Sequence, residues 1–254
     1  MKKILIATAA AIAVASGAAS AADMSMPLKA RPAPAPVYTW TGCYLDAGGG
    51  GGFWNQSHYG ELTPTGQPVT AEQSAGGRGW YGEVGGGCDY QFSLNGMGNF
   101  VIGVLGGYDF MSLKGAYTET ALGPFNGYEK ESGSAFVGGR LGYLVTPNLL
   151  TYVSGGWTNE RIGSFGLAPV GGPVLDVVSS HTYSGYFIGG GAETSLSPWL
   201  PQGFFLRSDY KVSTYRPADI AYLNPVGAPI GLSTHMNNYV QQIGTELIYR
   251  FNFH

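Results

Sequence analysis

From Tyr239 to Phe253 the chain alternates. Ile243, Leu247, Tyr249, Phe251 and Phe253 are apolar, while Gln242, Glu246, Arg250 and Asn252 between them are polar or charged. A period of two is a β-strand with two unlike faces. Seven more segments rich in glycine and aromatics read the same way, at residues 40–54, 79–93, 98–113, 134–145, 149–162, 182–197 and 203–215, with 238–253 as the eighth. Each exceeds the roughly 9–11 residues with which a tilted strand crosses a bilayer. The links between them alternate. Short ones span 94–97, 146–148 and 198–202, and long ones 55–78, 114–131, 163–181 and 216–237. This is the pattern of an all-β, eight-stranded antiparallel up-and-down transmembrane β-barrel, with tight turns at the periplasmic end and long loops outside. A short turn at every second step puts both termini on the periplasmic side.

Composition agrees with a membrane exterior. Charged residues make up 11% of the chain, against about 25% in soluble domains. Apolar runs such as NFVIGVLGG from Asn99 are too short and too glycine-broken for a spanning helix of about 20 residues. The N-terminus carries Lys2 and Lys3, an apolar run from Ile4 to Val14, and Ala19-Ser20-Ala21 matching an A-x-A cleavage site. Residues 1–21 are therefore expected to be a secretory signal peptide. Residues 22–38 include PLKARPAPAPV and are expected to be an extended periplasmic tether, which leaves 39–254 for the barrel. With Lys2 and Lys3 removed, 11 of the 13 basic residues remain against 16 acidic ones, which argues against a nucleic-acid partner.

Parity assigns the faces. One set is apolar and includes Val84, Cys88, Tyr90, Ile102, Val104, Leu141, Leu206 and Leu247; the other collects Asp46, Glu83, Asp89, Asp109, Arg140, Glu160, Glu193, Arg207, Asp209, Lys211, Glu246 and Arg250. An Arg or Lys facing lipid near the midplane costs roughly 2–4 kcal/mol, so the charged set is expected to point inward. Aromatics gather at strand ends on the apolar face. Phe53, Trp80, Phe110, Trp157 and Tyr239 mark an outer girdle; Tyr90, Phe92, Phe100, Tyr143, Phe204, Phe251 and Phe253 mark a periplasmic one. A lipocalin-like soluble barrel, with apolar residues inside, is the alternative.

Eight strands enclose an interior just wide enough for side chains to fill. Arg140, Arg207, Lys211 and Arg250 are accordingly expected to pair there with Glu83, Asp209, Glu193 and Glu246, in a network that includes Asp89 and plugs the barrel. A narrow diffusion channel is the competing reading. Cys43 and Cys88 fall on the outward face near the periplasmic ends of neighbouring strands, as a disulfide or as two inert thiols. His58, His181 and His235 lie on or beside three long links and are expected to be solvated; their convergence on a haem or metal is the alternative. The glycine run from Gly48 to Gly52 is followed by no G-K-[ST] and is not a phosphate loop. No nucleophile-and-base motif is present, so enzyme activity is not expected, with barrel-borne acyl transfer or proteolysis as the alternative. No helical or C-x-x-C ligand spacing is present either, so no cofactor or metal is expected.

The stretch TWTGCYLDAGGGGGFW from Thr39, RLGYLVTPNLLTYVSGGW from Arg140 and the terminal LIYRFNF from Leu247 resemble the alphaproteobacterial small outer-membrane β-barrel family, often labelled porin-like or surface antigen. The family more often has Phe where Cys43 stands, and its chains usually end on the aromatic that His254 follows here. The resemblance implies a Gram-negative cell outer membrane protein with envelope-structural and host-contact roles. It also implies that the barrel-assembly machinery reads Tyr249, Phe251 and Phe253 as an insertion signal. Outer-membrane lipid, lipopolysaccharide, and a host or envelope partner at the outer loops are the expected contacts.

Overall fold

The computed structural model describes residues 39–120 and 124–251. The expected signal peptide, the tether and Phe253 lie outside the described residues. Twelve strands form in chain order: β1 (Gly42–Leu62), β2 (Gln67–Pro68), β3 (Gln73–Leu94), β4 (Gly98–Glu119), β5 (Phe125–Thr146), β6 (Leu149–Ile162), β7 (Phe165–Pro169), β8 (Asp176–Val178), β9 (His181–Ser195), β10 (Phe204–Tyr215), β11 (Ala218–Leu223) and β12 (Pro229–Phe251). Neighbours pair antiparallel in the order β1-β3-β4-β5-β6-β9-β10-β12, and β12 returns to β1 from Cys43↔Phe251 to Leu62↔Leu232. The barrel is closed, with eight strands, so no edge is left to pair with another chain.

The long links expected between strands are largely strand. Three strands break and resume with their order preserved: β6 into β7 after Gly163-Ser164, β8 into β9 after Ser179-Ser180, and β10 into β11 after Arg216-Pro217. Pro217 has no N–H to offer a ladder, which suits it to such a break. Beyond the breaks, β7, β8 and β11 bridge β5 to β12. The ring thus closes a second time as β1-β3-β4-β5-β7-β8-β11-β12. The wall rises in two storeys because β1, β3, β4, β5 and β12, at 21–23 residues each, run through both. Bilayer thickness sets a minimum length for a strand, and it sets no maximum.

The distribution of apolar side chains changes between the storeys. In the lower one, the outward side chains include Leu45, Val84, Val104, Leu141, Val153, Ile188 and Leu247, all exposed, while charged side chains are buried inside. From Tyr90 to Trp80 along β3 is about ten residues, or ~33 Å of strand, which a tilt of about 40° reduces to an apolar band ~25 Å tall. In the upper storey Leu113, Tyr117, Phe125, Phe165, Leu167, Val178, Tyr183, Ile220, Tyr222 and Met236 form an apolar core inside the ring. Outward from it, Ser74, Thr118, Asn126 and Tyr128 are exposed. The upper interior is apolar only in part, since Glu119, Glu129 and Glu131 are fully buried there as well.

Candidate functional site

The barrel interior is stacked in layers. The tight-turn end is closed by Trp40, Tyr44, Val101, Leu144, Leu150, Phe205 and Ile248. Trp40 Nε1 donates to the carbonyl of Pro147 at 3.1 Å, which pins the indole across the opening. Above it lies the first charged layer. Arg140 donates from Nε to Asp89 Oδ1 at 2.9 Å and from Nη1 to Glu193 Oε2 at 3.2 Å. Arg250 reaches the same two carboxylates, at 2.7 Å to Asp89 and 2.8 Å from Nε to Glu193. Arg207 lies 3.4 Å from Asp46 and 3.6 Å from Glu193. The Tyr44 ring stands among all three guanidinium groups, 4.7–5.1 Å from their carbons. Gly103 makes room for this layer, since a Cβ there would sit 2.0 Å from Asp89 Oδ1.

The second layer centres on Lys211, whose Nζ is 2.9 Å from Asp109, 3.5 Å from Glu83 and 3.9 Å above the Phe136 ring. Gln242 Nε2 also donates to Asp109, at 2.9 Å. Between these layers a cavity of about 20 Å³ remains beside Arg207, Asp209 and Lys211, room for about one water. Higher still, Asn238 Nδ2 donates to Glu131 at 3.1 Å and to Glu160 at 2.9 Å. Glu129 is fully buried there with neither oxygen hydrogen-bonded. Burial, then the neighbouring Glu131, push its carboxyl well above the usual range, opposed by the adjacent Gln56 side chain. Tyr117, Tyr222, Glu119 and Thr234 close the top layer through their side-chain hydrogen bonds.

The structure brings Glu83, Asp89, Arg140, Glu193, Arg207, Lys211 and Arg250 together as ion pairs, but two of the expected pairings differ. Both oxygens of Glu246 are buried without a partner. Asp209 is half-buried and accepts from the Tyr152 hydroxyl at 3.0 Å. Their places as counter-ions are taken by Asp46, Asp89 and Asp109. Arg207 is opposite Glu246 in register and also opposite Glu193; its guanidinium lies against Glu193 and Asp46. Adjacency in a ladder thus leaves the choice of partner to side-chain direction.

Cys43 and Cys88 are directly paired on β1 and β3 and joined by a disulfide, closing a sequence separation of 45 residues. Neither thiol should react with a maleimide in the unfolded, unreduced chain, and both should after reduction. In the chain-entropy treatment a loop of this length stabilises by about 4 kcal/mol, so the double Cys→Ser variant should unfold at distinctly lower denaturant. Tyr249 and Phe251 face outward and are exposed, packed edge-on at 4.9 Å.

The three histidines do not converge. His58 is buried inside the upper storey, contrary to the expectation of a solvated loop residue, because β1 continues past the bilayer and keeps its parity. Its Nε2 lies 2.9 Å from the Thr118 carbonyl and its ring stacks on Tyr117 at 4.2 Å. Burial lowers its basicity, opposed by that hydrogen bond and by Glu119. His181 is half-buried at the start of β9, against the Tyr183 ring. His235 is on the outer wall, stacked on Tyr59 and 2.6 Å from Asp219. With Glu61 these two residues place their ligand atoms within 4.8 Å of one another, a set able to hold a divalent cation. Sequence spacing conceals that grouping, since the members come from β1, β11 and β12.

No protein-family model matches the chain, and no curated protein matches it. Among solved structures, the outer membrane protein AlkL, determined in lipid bilayers by solid-state NMR, has a TM-score of 0.46 at 13% identity, covering 88% of this chain and 97% of that one. Neisserial surface protein A has a TM-score of 0.37 at 12% identity, covering 83% and 98%. The attachment invasion locus protein Ail of Yersinia pestis has a TM-score of 0.33 at 11% identity, covering 82% and 99%. Likeness at this level assigns no activity: what the strand pairing itself establishes is an eight-stranded, closed, antiparallel barrel.

Proposed function

We propose that this chain is a structural and surface protein of the Gram-negative outer membrane, with a plugged barrel as anchor and the upper storey as a platform standing outside the cell. The observation that carries the reading is the sequence of filled layers from Trp40 to Tyr222. A pore needs a continuous aqueous path, and here two ionic layers with Arg140, Arg250, Arg207 and Lys211 lie between two apolar ones. Export by residues 1–21, periplasmic termini, and insertion by machinery that reads Tyr249, Phe251 and Phe253 belong to the same proposal. So does membership of the alphaproteobacterial family that Thr39 to Trp54 resembles. The turns of the upper storey, at residues 63–66, 170–175 and 224–228, are the surfaces offered to lipopolysaccharide and to a host or envelope partner.

The test is electrical. Purified barrel inserted in planar bilayers should give no steady conductance steps. Reproducible single-channel steps from folded protein would overturn the plug and favour a narrow diffusion channel.

A further inference from the structure

Where the storeys meet, basic side chains line one side of the outer wall. Arg78, Lys114 and Lys130 occupy directly opposed positions on β3, β4 and β5. Arg161 on β6, opposite Gly133, continues the row past the bulge in β5. All four are exposed, and none has an acidic partner among the described residues. The outward positions above them are neutral: Ser74, Thr118, Asn126 and Tyr128. Like charges directly opposite in a sheet repel and destabilise the pairing. A row of three in register therefore calls for anions from outside the chain.

Height on the wall says which anions. Arg78 is the next outward residue after Trp80, about 6–7 Å further along the strand. Lys114 stands in the same relation to Phe110 with one intervening outward residue, Ser112, and Arg161 to Trp157 with Asn159 between. The aromatic girdle marks the membrane interface, so the row stands at the level of the headgroups. On β1, β11 and β12 the titratable cluster is instead Glu61, Asp219 and His235, with Glu61 buried.

We propose that Arg78, Lys114, Lys130 and Arg161 bind the phosphate groups of an outer-leaflet glycolipid headgroup that carries two or more phosphates. This rests on the orientation given under the proposed function, with the upper storey outside. Guanidinium and ammonium groups spread over four adjacent strands suit a wide polyanion better than a single small ion. A lipid presents that polyanion where the row stands.

The probes are the phosphorylated glycolipid of lipopolysaccharide, the same glycolipid with its phosphates removed, and inorganic phosphate, each titrated into folded protein in neutral detergent. The readout is the temperature at which the folded form loses its faster gel mobility. The phosphorylated lipid should raise that temperature saturably, the dephosphorylated lipid should not, and inorganic phosphate should act only at far higher concentration. The Arg78→Gln/Lys114→Gln/Lys130→Gln/Arg161→Gln variant should bind the phosphorylated lipid far more weakly, on the order of fivefold per charge removed. Arg216→Gln, an exposed cation outside the row, should behave as wild type. Should the fourfold variant not fold, Lys114→Gln/Lys130→Gln is read the same way. Equal response to the dephosphorylated lipid, undiminished binding by the variant, or equal loss in Arg216→Gln would each overturn the proposal. None of these outcomes bears on the plug, which conductance tests separately.

Discussion

Arg140→Met is expected to destabilise the folded barrel by about 3–5 kcal/mol, the cost of stranding buried charge after one partner is removed. Arg140 holds both Asp89 and Glu193, and its side chain and both carboxylates are fully buried. Arg250 would still touch both acids, but one guanidinium cannot satisfy the oxygens that two now share. The contrasting change is Glu246→Gln. Glu246 is buried with neither oxygen paired, so removing its ionisable group should be neutral or stabilising, within about 1 kcal/mol. Urea unfolding of the two variants in lipid vesicles, followed by tryptophan fluorescence, separates them. If Arg140→Met unfolded within about 1 kcal/mol of wild type, the ionic layer would not be what fixes the lower storey. Replacing Asp89 by Asn in the Arg140→Met background should recover part of the loss, because it removes a carboxylate left with half its counter-charge.

How far the sequence reaches is visible residue by residue. In the lower storey, parity alone places Arg140, Glu193, Arg207, Lys211 and Arg250 inside and Leu247 outside, because lipid punishes the opposite choice at every position. Partner choice is another matter. Glu246 and Asp209 are inward as parity requires, yet Arg207 and Lys211 turn to Asp46, Glu193, Glu83 and Asp109. Such a choice depends on strand tilt and on the direction each long side chain takes, neither of which is written in the spacing.

The upper storey is misread for a different reason. A template cut to bilayer thickness ends β1 at Trp54, although Gln56, His58 and Gly60 keep the same parity and are buried. The alternation of Phe165 with Leu167 and of Ile220 with Tyr222 is there as well, in pieces of five or six residues. Their polarity has the opposite sense, since water rather than lipid lies outside. A rule tuned to put charge inward reads these pieces as loop. The signal that finds them is unbroken parity carried across each link, with the sign of the pattern allowed to change at the basic row.

Gly50→Ala is expected to prevent closure of the barrel, whereas the adjacent Gly51→Ala is expected to be tolerated. The two glycines differ in what a methyl group would meet. At Gly50 a Cβ would lie 1.9 Å from the Ile243 carbonyl oxygen and 2.7 Å from the Gly244 Cα, both main-chain atoms of β12. No rotamer relieves such a clash, so the β1–β12 seam must open or shift, at or beyond the ~3 kcal/mol upper end of ordinary overpacking. At Gly51 the nearest atom is the Gly79 carbonyl oxygen at 3.8 Å, ordinary contact on the outward face. Neither glycine has a positive φ, so the difference is one of room rather than of backbone conformation. Refolding each variant from urea into detergent and comparing unboiled with boiled gel mobility reads closure directly. Gly51→Ala should show the compact unboiled band at wild-type yield, and Gly50→Ala should run at the unfolded position in both lanes. A compact Gly50→Ala band at wild-type yield would show that the seam has slack, and that the glycine run of β1 is not what lets its first and last strands meet.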